Sequence, residues 1–328
     1  LKILVTGGAG FLGSNLVDSL LSLGHHVAVV DNLQTGRVSN LSLAMKSHRF
    51  LGFVKEDVIN LGSHIDPSTS LIFNTKWDVI YNFACAASPP AYQADPIHTM
   101  KTCTLGTLNM LEIAKENGSV FIQASTSEIY GDPEVSPQKE SYKGSVNTVG
   151  PRSCYDEGKR AAETLCRDYR ETYGLPTKIV RIFNTYGPRM DVDDGRVVTN
   201  FVKQALLGQQ MTIYGDGLQT RSFCYVDDLI DGFVKLLGTD LSYMGPVNLG
   251  NPIEFTIMEL AFLIADKLKL QGTLFQKNPL PQDDPKQRKP DISEAMRVLG
   301  WYPNVKIADG LDKIISYIKS ELTDQKRI

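Results

Sequence analysis

Six short apolar runs punctuate the first half of the chain: KILVTG, HVAVVD, FLGFVKED, DVIYNFA, SVFIQAS and TKIVRIFN. They are rich in β-branched residues and apolar at consecutive positions, as expected of strands buried on both faces. Between the first two, GFLGSNLVDSLLSLG sets Leu12, Leu16, Leu20 and Leu23 on one helical face and stops at Gly24. Strands of this kind alternating with helices predict an α/β fold, a doubly wound parallel sheet of Rossmann type covered on both sides.

The rhythm changes after about residue 184. NTYGPRMDVDDG reads as a loop, VVTNFVKQALLG as a helix, and MTIYGDGLQTRSFCYV as strand, turn and strand around Gly215 and Gly217. VDDLIDGFVKLL is a further helix, PVNLGN a short strand, and NPLPQDDPKQRKPD a polar, proline-rich loop before the final helices. The expected organisation is one α/β domain over residues 1–183, rejoined at about 222–250. Residues 184–328 are expected mainly as a smaller C-terminal lobe.

Composition narrows the classes. The 328 residues carry a net charge of −3 and no long basic block, which gives no electrostatic reason to expect nucleic acid. Five cysteines, at 85, 103, 154, 166 and 224, form an odd set without a C-x-x-C pair, pointing to reduced thiols and a cytoplasmic setting. The five histidines lack metal-ligand spacing, and DVDDG lacks the spacing of a calcium loop, so no metal is expected. No apolar stretch approaches the roughly 18 residues of a membrane span. The chain opens directly on a strand, with neither a signal-peptide pattern nor an initiator Met, and a trimmed N-terminal segment is left open.

Candidate chemistry begins at TGGAGFLG, which follows the first strand and opens the first helix with Gly7, Gly10 and Gly13. Glycines there allow a tight turn and close approach of a pyrophosphate, whose charge the helix N-terminus favours. The second strand ends in Asp31, 18 residues past Gly13, near the spacing of about 20 for a carboxylate on the adenine ribose. Such an acid repels a 2′-phosphate, so NAD is the expected cofactor. Arg37 is the counter-hint for NADP, but it lies beyond the acid rather than replacing it.

SCYDEGKRAAETL places Tyr155 and Lys159 four apart on one helical face. An ammonium near a phenol is expected to lower its pKa and make a usable base. Thr126, at the end of the strand SVFIQAS, supplies a hydroxyl. Together these parts can deprotonate a substrate alcohol while NAD takes its hydride.

With these motifs placed, the chain resembles the extended short-chain dehydrogenase/reductases that act on nucleotide sugars. Within them it is most similar to the UDP-glucuronate decarboxylases, or UDP-xylose synthases. The likeness runs over nearly the whole chain; ASPPAY, GPRSCYDEGKR and DDPKQRKPDI are its most specific stretches. It implies decarboxylation of UDP-glucuronate through C4 oxidation, loss of CO2 and re-reduction by bound NADH. It also implies a homodimer built through a four-helix bundle from the helices around Thr102–Ala114 and Cys154–Tyr169.

Carried over by position, the resemblance makes Tyr155 the base, supported by Lys159 and Thr126, with Glu128 as an additional acidic residue. It implies cofactor contacts from Gly10, Phe11, Leu12, Asp31, Asn32, Leu33, Thr35, Gly36, Asp57 and Val58. Further cofactor contacts would come from Phe83, Ala84, Thr102, Ala124, Thr185, Tyr186, Gly187 and Arg196. Substrate contacts would come from Ser88, Tyr92, Lys101, Asn184, Tyr214, Arg221 and Arg288. The run NFACAASPP departs from the His-Leu-Ala-Ser type sequence more usual there, and YKGSVNTVG replaces a Trp-containing stretch.

Residues 126–128 bear on the choice of reaction. Several 4,6-dehydratases carry Thr-Asp-Glu, the aspartate protonating a leaving hydroxyl; Ser127 is a poor acid in that place. Epimerases commonly lack a carboxylate at the Glu128 position. GDP-mannose 4,6-dehydratases share Thr-Ser-Glu, so the triplet alone leaves open a dehydratase, an epimerase or an oxidative decarboxylase that releases the 4-keto pentose. Read blandly, Glu128 is a helix-start carboxylate, and Arg221 and Arg288 are surface ion pairs.

Overall fold

The computed structural model describes residues 1–62, 67–272, 274–279 and 287–328. Strands β1 (Lys2–Thr6), β2 (His26–Asp31), β3 (Phe50–Lys55), β4 (Val79–Asn82), β5 (Val120–Thr126) and β6 (Thr177–Ile182) form one sheet with the strand Val247–Leu249. All pairings are parallel, in the order Val247–Leu249, β6, β5, β4, β1, β2, β3. Chain direction across the sheet reverses between β1 and β4, the switch point outside whose strand ends α/β proteins hold ligands.

The two faces follow from side-chain alternation. Ile3 and Val5 of β1 enter one apolar core with Leu16, Leu20 and Phe233, while Leu4 enters another with Met110, Phe121 and Ile179. Helix α1 (Phe11–Ser22) covers the first face beside the helix Val226–Leu237. Its apolar stripe ends at Leu20, because Leu23 is the exposed C-cap residue. Short helices α2 (Ser70–Asn74), α3 (Pro89–Ala94) and α4 (Pro96–Lys101) precede α5 (Thr107–Asn117). A π-helical stretch, Thr102–Gly106, joins α4 to α5. Helix α6 (Ser153–Tyr173) packs against α4, α5 and β5, and ends at Gly174 in the left-handed conformation that stops a helix.

The C-terminal part has the expected strand, turn and strand around Gly215 and Gly217. The strands flanking Gly215 and Gly217 do not pair with each other. Met211–Tyr214 pairs in parallel with Phe275–Asn278. Thr220–Ser222 lies between Glu254–Thr256, antiparallel, and Gln287–Arg288, parallel. Both glycines have positive φ and turn the chain, but the partner strands come from distant sequence. Residues 280–286 of the proline-rich stretch lie outside the described residues. Among the described residues no helix is long and apolar enough to cross a membrane.

Candidate active site

A cleft of about 460 Å³ opens at the carboxyl ends of β1, β2 and β4. Gly7 adopts φ +65°, and a Cβ there would meet the Phe83 carbonyl carbon at 2.8 Å. A Cβ on Gly13 would lie 2.2 Å from the Gly7 oxygen, so α1 can approach the turn only as glycine. At Gly10 the nearest obstacle is the same oxygen at 3.2 Å. No side chain caps α1, so its first N–H groups are left for an anion.

Asp31 lines the cleft at the end of β2. Its carboxylate accepts from the N–H of Ala9 at 2.9 Å and of Leu33 at 2.8 Å, and Leu33 pays with a left-handed φ of 63°. Burial pushes this carboxyl up from its ordinary value, while the N–H groups of Leu33, Ala9 and Gly10 oppose the rise. Gly36 packs on the carboxylate, where a Cβ would sit 3.0 Å from either oxygen. Asn32 donates to Asp57 at 2.7 Å, and His98 from α4 binds the same Asp57 oxygen at 2.7 Å. Arg37 instead pairs with Asp191 and, at 3.0 Å, with Glu321. The strand-turn-helix cradle, uncapped helix end and Asp31 thus fit a dinucleotide without a 2′-phosphate.

Of the residues expected at the cofactor, Gly7, Gly10, Phe11, Leu12, Gly13, Asp31, Asn32, Thr35, Asp57, Val58, Phe83, Ala84, Thr102 and Arg196 line this cleft. Ser88, expected at the substrate, lines it too. Arg196 is paired with Asp194 at 2.5 Å and lies 6.0 Å from the Phe11 ring. Thr185 and Gly187 flank Tyr186, whose ring lies in the same apolar core as Ile3 and Val5, against Tyr225 with 5.5 Å between centroids. The cleft also includes Gln34, Cys85 and Pro90, none of them expected as a site residue.

The catalytic expectation places Tyr155 and Lys159 on α6, and both are buried. Lys159 Nζ donates to the Ala124 carbonyl at 2.9 Å and sits 5.8 Å from the Tyr155 ring centroid. Tyr92 stacks on Tyr155, 5.0 Å between centroids and 3° from parallel. The expected lowering of the Tyr155 pKa is corrected here. Burial pushes the phenol well above its ordinary value, with Cys85 and Cys103 adding to the rise and a hydrogen bond with Thr126 opposing it. A lysine in sequence register does not offset the loss of water around a phenolate.

Glu128 lies in the turn after β5, where its N–H donates to Thr126 Oγ at 3.2 Å. Arg288 Nη1 reaches one carboxylate oxygen at 2.5 Å, Arg288 Nη2 the other at 2.8 Å, and Arg152 Nη2 joins at 2.7 Å. All three side chains are largely buried, so Arg288 is no surface pair. Burial works against the charge, but the two arginines hold the carboxyl down to about 2. Asp156 is buried close by; burial and the like charge of Glu128 push it up to about 7. Arg152 and Asp156 stand within GPRSCYDEGKR, yet nothing in their spacing marks them as partners of Glu128.

The other residues expected at the substrate are spread over this region. Arg221 faces Arg288 in strand register, and both are buried. Tyr92 is buried with no partner for its hydroxyl among the described residues. Asn184 is half-buried and its carbonyl accepts from Cys224 N–H at 2.9 Å. Tyr214 and Lys101 are exposed.

Comparison with known proteins fits this geometry. Residues 3–250 match the family model described as NAD dependent epimerase/dehydratase family. UDP-glucuronic acid decarboxylase 1 of Xenopus tropicalis is 49% identical over 324 residues, covering 99% of this chain and 73% of that protein. UDP-glucuronic acid decarboxylase 6 of Arabidopsis thaliana is 50% identical over 312 residues, covering 95% of this chain and 87% of that protein. Among solved structures, UDP-glucuronic acid 4-epimerase from Bacillus cereus, in complex with UDP-glucuronic acid and NAD, superposes with a TM-score of 0.85. It is 30% identical, covering 98% of this chain and 100% of that one. The chain belongs to the NAD dependent epimerase/dehydratase family, on the branch of the UDP-glucuronic acid decarboxylases.

Proposed function

We propose that this protein decarboxylates UDP-glucuronate to UDP-xylose with NAD held in the cleft. The observation that carries the reading is the buried clamp of Arg152 and Arg288 on Glu128. Two guanidiniums against one carboxylate leave a positive excess beside Thr126 and Tyr155. Asp156, pushed up to about 7, offsets that excess only in part at neutral pH. A neutral hexose gains nothing from such a centre, whereas a hexuronate carboxylate matches it.

Bound NAD supplies the hydride acceptor for oxidation at C4 and the donor that restores the alcohol. Tyr155, hydrogen-bonded with Thr126, is placed to take the C4 hydroxyl proton. Lys159, held on the Ala124 carbonyl, brings the positive charge that favours the phenolate form of Tyr155, the form that accepts this proton and becomes the phenol. A C4 ketone lies β to the C6 carboxylate, so the C5–C6 bond breaks with its electron pair passing into an enolate. No hydroxyl has to leave, which suits the poorly acidic Ser127. Ionised at neutral pH, Glu128 is no proton donor; it orients the two guanidiniums.

The same reading places nucleotide binding mainly in residues 1–183 and sugar binding mainly in residues 184–328. It also takes the chain as a cytoplasmic homodimer. Ile97 on α4, Leu105 in the π-helical stretch and Tyr173 on α6 are apolar side chains exposed on the helices expected to pair, and light scattering gives the mass. For the reaction, the protein is incubated with UDP-glucuronate while CO2 and product mass are followed. A product lighter by CO2 supports decarboxylation; unchanged mass, with or without inversion at C4, refutes it. Steady release of NADH assigns the oxidative variant instead.

A further inference from the structure

Beside the proposed catalytic pair, two thiols from separate elements meet. Cys85 follows β4, lines the cleft and is half-buried. Cys103 lies in the π-helical stretch between α4 and α5 and is buried. Their sulfurs are 3.3 Å apart. A disulfide needs about 2.05 Å, so closure asks for about 1.3 Å of approach. Cys85 also falls in NFACAASPP, the run that departs from the family resemblance.

We propose that Cys85 and Cys103 are an oxidisable dithiol, closed to a disulfide by a hydroperoxide that enters through the cofactor cleft, and that closure slows turnover. The acidities favour a pair that shares one proton. The hydrogen bond from Cys85 lowers the Cys103 thiol against the effect of burial, with Lys159 helping, while Cys85 is pushed up. One sulfur is therefore the better thiolate and its neighbour carries the shared proton.

With the shared proton passed to Cys103, the Cys85 thiolate, which lines the cleft, attacks one peroxide oxygen; the O–O bond breaks, leaving a sulfenic acid, and the other oxygen leaves as alcohol or water with the proton given up when the thiolate formed. The second sulfur then displaces the sulfenic oxygen as water, using the second thiol proton, and the S–S bond forms. Each sulfur loses one electron and the peroxide gains two.

Closure would act where the site has little slack. A Cβ on Gly158 would meet the Cys103 Cβ at 2.8 Å, so Cys103 packs directly on α6, one residue before Lys159. Thr102, its neighbour, lines the cleft. Drawing this stretch toward Cys85 shifts groups on which Tyr155 and Lys159 rest. Displacement of about 1 Å near reacting groups costs on the order of tenfold or more in rate.

The test uses the full chain with bound NAD, titrated with hydrogen peroxide. Expected is a mass loss of two hydrogens, two fewer titratable thiols and a non-reducing peptide map joining residues 85 and 103. Turnover falls about tenfold and returns with dithiothreitol. Cys103→Ser, compared with its own untreated activity, should lose both the mass change and the reversible inhibition. Addition of oxygen without a crosslink, a crosslink between other cysteines, or closure with unchanged turnover would each overturn the proposal. If Cys103→Ser does not fold, Cys85→Ala and wild-type capture of phenylarsine oxide, reversed only by a dithiol, carry the same test; failure of that capture counts against the pair. Loss of decarboxylase activity toward UDP-glucuronate in the untreated enzyme would instead count against the reaction proposed above.

Discussion

The Arg288 guanidinium closes on both oxygens of the Glu128 carboxylate, at 2.5 and 2.8 Å, across 160 residues of chain. One end of this fork lies in the turn after β5, beside Thr126. The other lies on a strand whose register sets Arg288 opposite Arg221. The contact therefore joins the C-terminal strands to the β5 end of the parallel sheet.

Arg288→Lys keeps the charge but loses the two-pronged geometry, leaving Glu128 mainly to Arg152. We expect kcat/KM for UDP-glucuronate to fall on the order of a hundredfold. First-turnover NADH formation should change much less, because the C4 oxidation proposed above uses Tyr155. Stopped-flow absorbance and steady-state CO2 release separate the two. Equal loss in both would mean that Arg288 serves only the fold.

Glu128 also sets an acid limit on stability. Its carboxyl is held at about 2 against an ordinary 4.5, so the unfolded chain takes up its proton first as pH falls. The stabilisation is complete above about 4.5 and is lost as pH drops through about 2. Glu128→Gln should flatten this part of the profile, measured by urea unfolding at stepped pH. It should also be less stable at neutrality, because the arginines lose their counter-charge.

Asp156 has the opposite sign. Burial and Glu128 raise its carboxyl from 3.8 to about 7, so the folded protein holds this proton more tightly than the unfolded chain. Its contribution is therefore complete below 3.8 and is lost as pH rises through about 7. Asp156→Asn should gain on the order of 2 kcal/mol relative to wild type above neutrality, and less in acid. Urea titrations at pH values on either side of 7 read the difference, and a pH-independent difference would rule this out.

The sheet was legible because each buried strand states its burial locally, as in HVAVVD, which becomes β2 residue for residue. Gly7, Gly13 and Asp31 were legible for a related reason: one βαβ unit contains them all. The Glu128 clamp was not, since Arg152 is 24 residues away and Arg288 160, and no periodicity joins them. His98 is equally silent; its bond to Asp57, just past the end of β3, joins residues 41 apart that no periodicity links. Tyr155 marks a subtler limit. Spacing displays Lys159 but not the burial that dominates the acidity of the phenol.

Tyr155→Phe removes the proposed proton acceptor while keeping the ring stacked on Tyr92. NAD affinity should stay within about twofold, and turnover should fall by roughly 10²–10⁴. Fluorescence titration with NADH and product analysis measure the two effects. Retained turnover would remove Tyr155 from the mechanism.

Asp31 offers the sharpest test of cofactor choice. Its carboxylate is fixed by Ala9 and Leu33 N–H groups, which leaves outer lone pairs for ribose hydroxyls. Asp31→Asn keeps the shape but gives up the charge and one acceptor, so NAD affinity should fall about tenfold, the worth of one charged hydrogen bond. Affinity for NADP should rise only slightly, although the carboxylate that repels a 2′-phosphate is gone. The cation needed to hold that phosphate would be Arg37, which is committed to Asp191 and Glu321. Releasing it from Asp191, its nearer partner, in Asp31→Asn with Asp191→Asn, should bring NADP binding closer to that of NAD. Calorimetric titration of both cofactors against wild type, single and double variants decides the matter. A single variant that already prefers NADP would show that Arg37 is not held away.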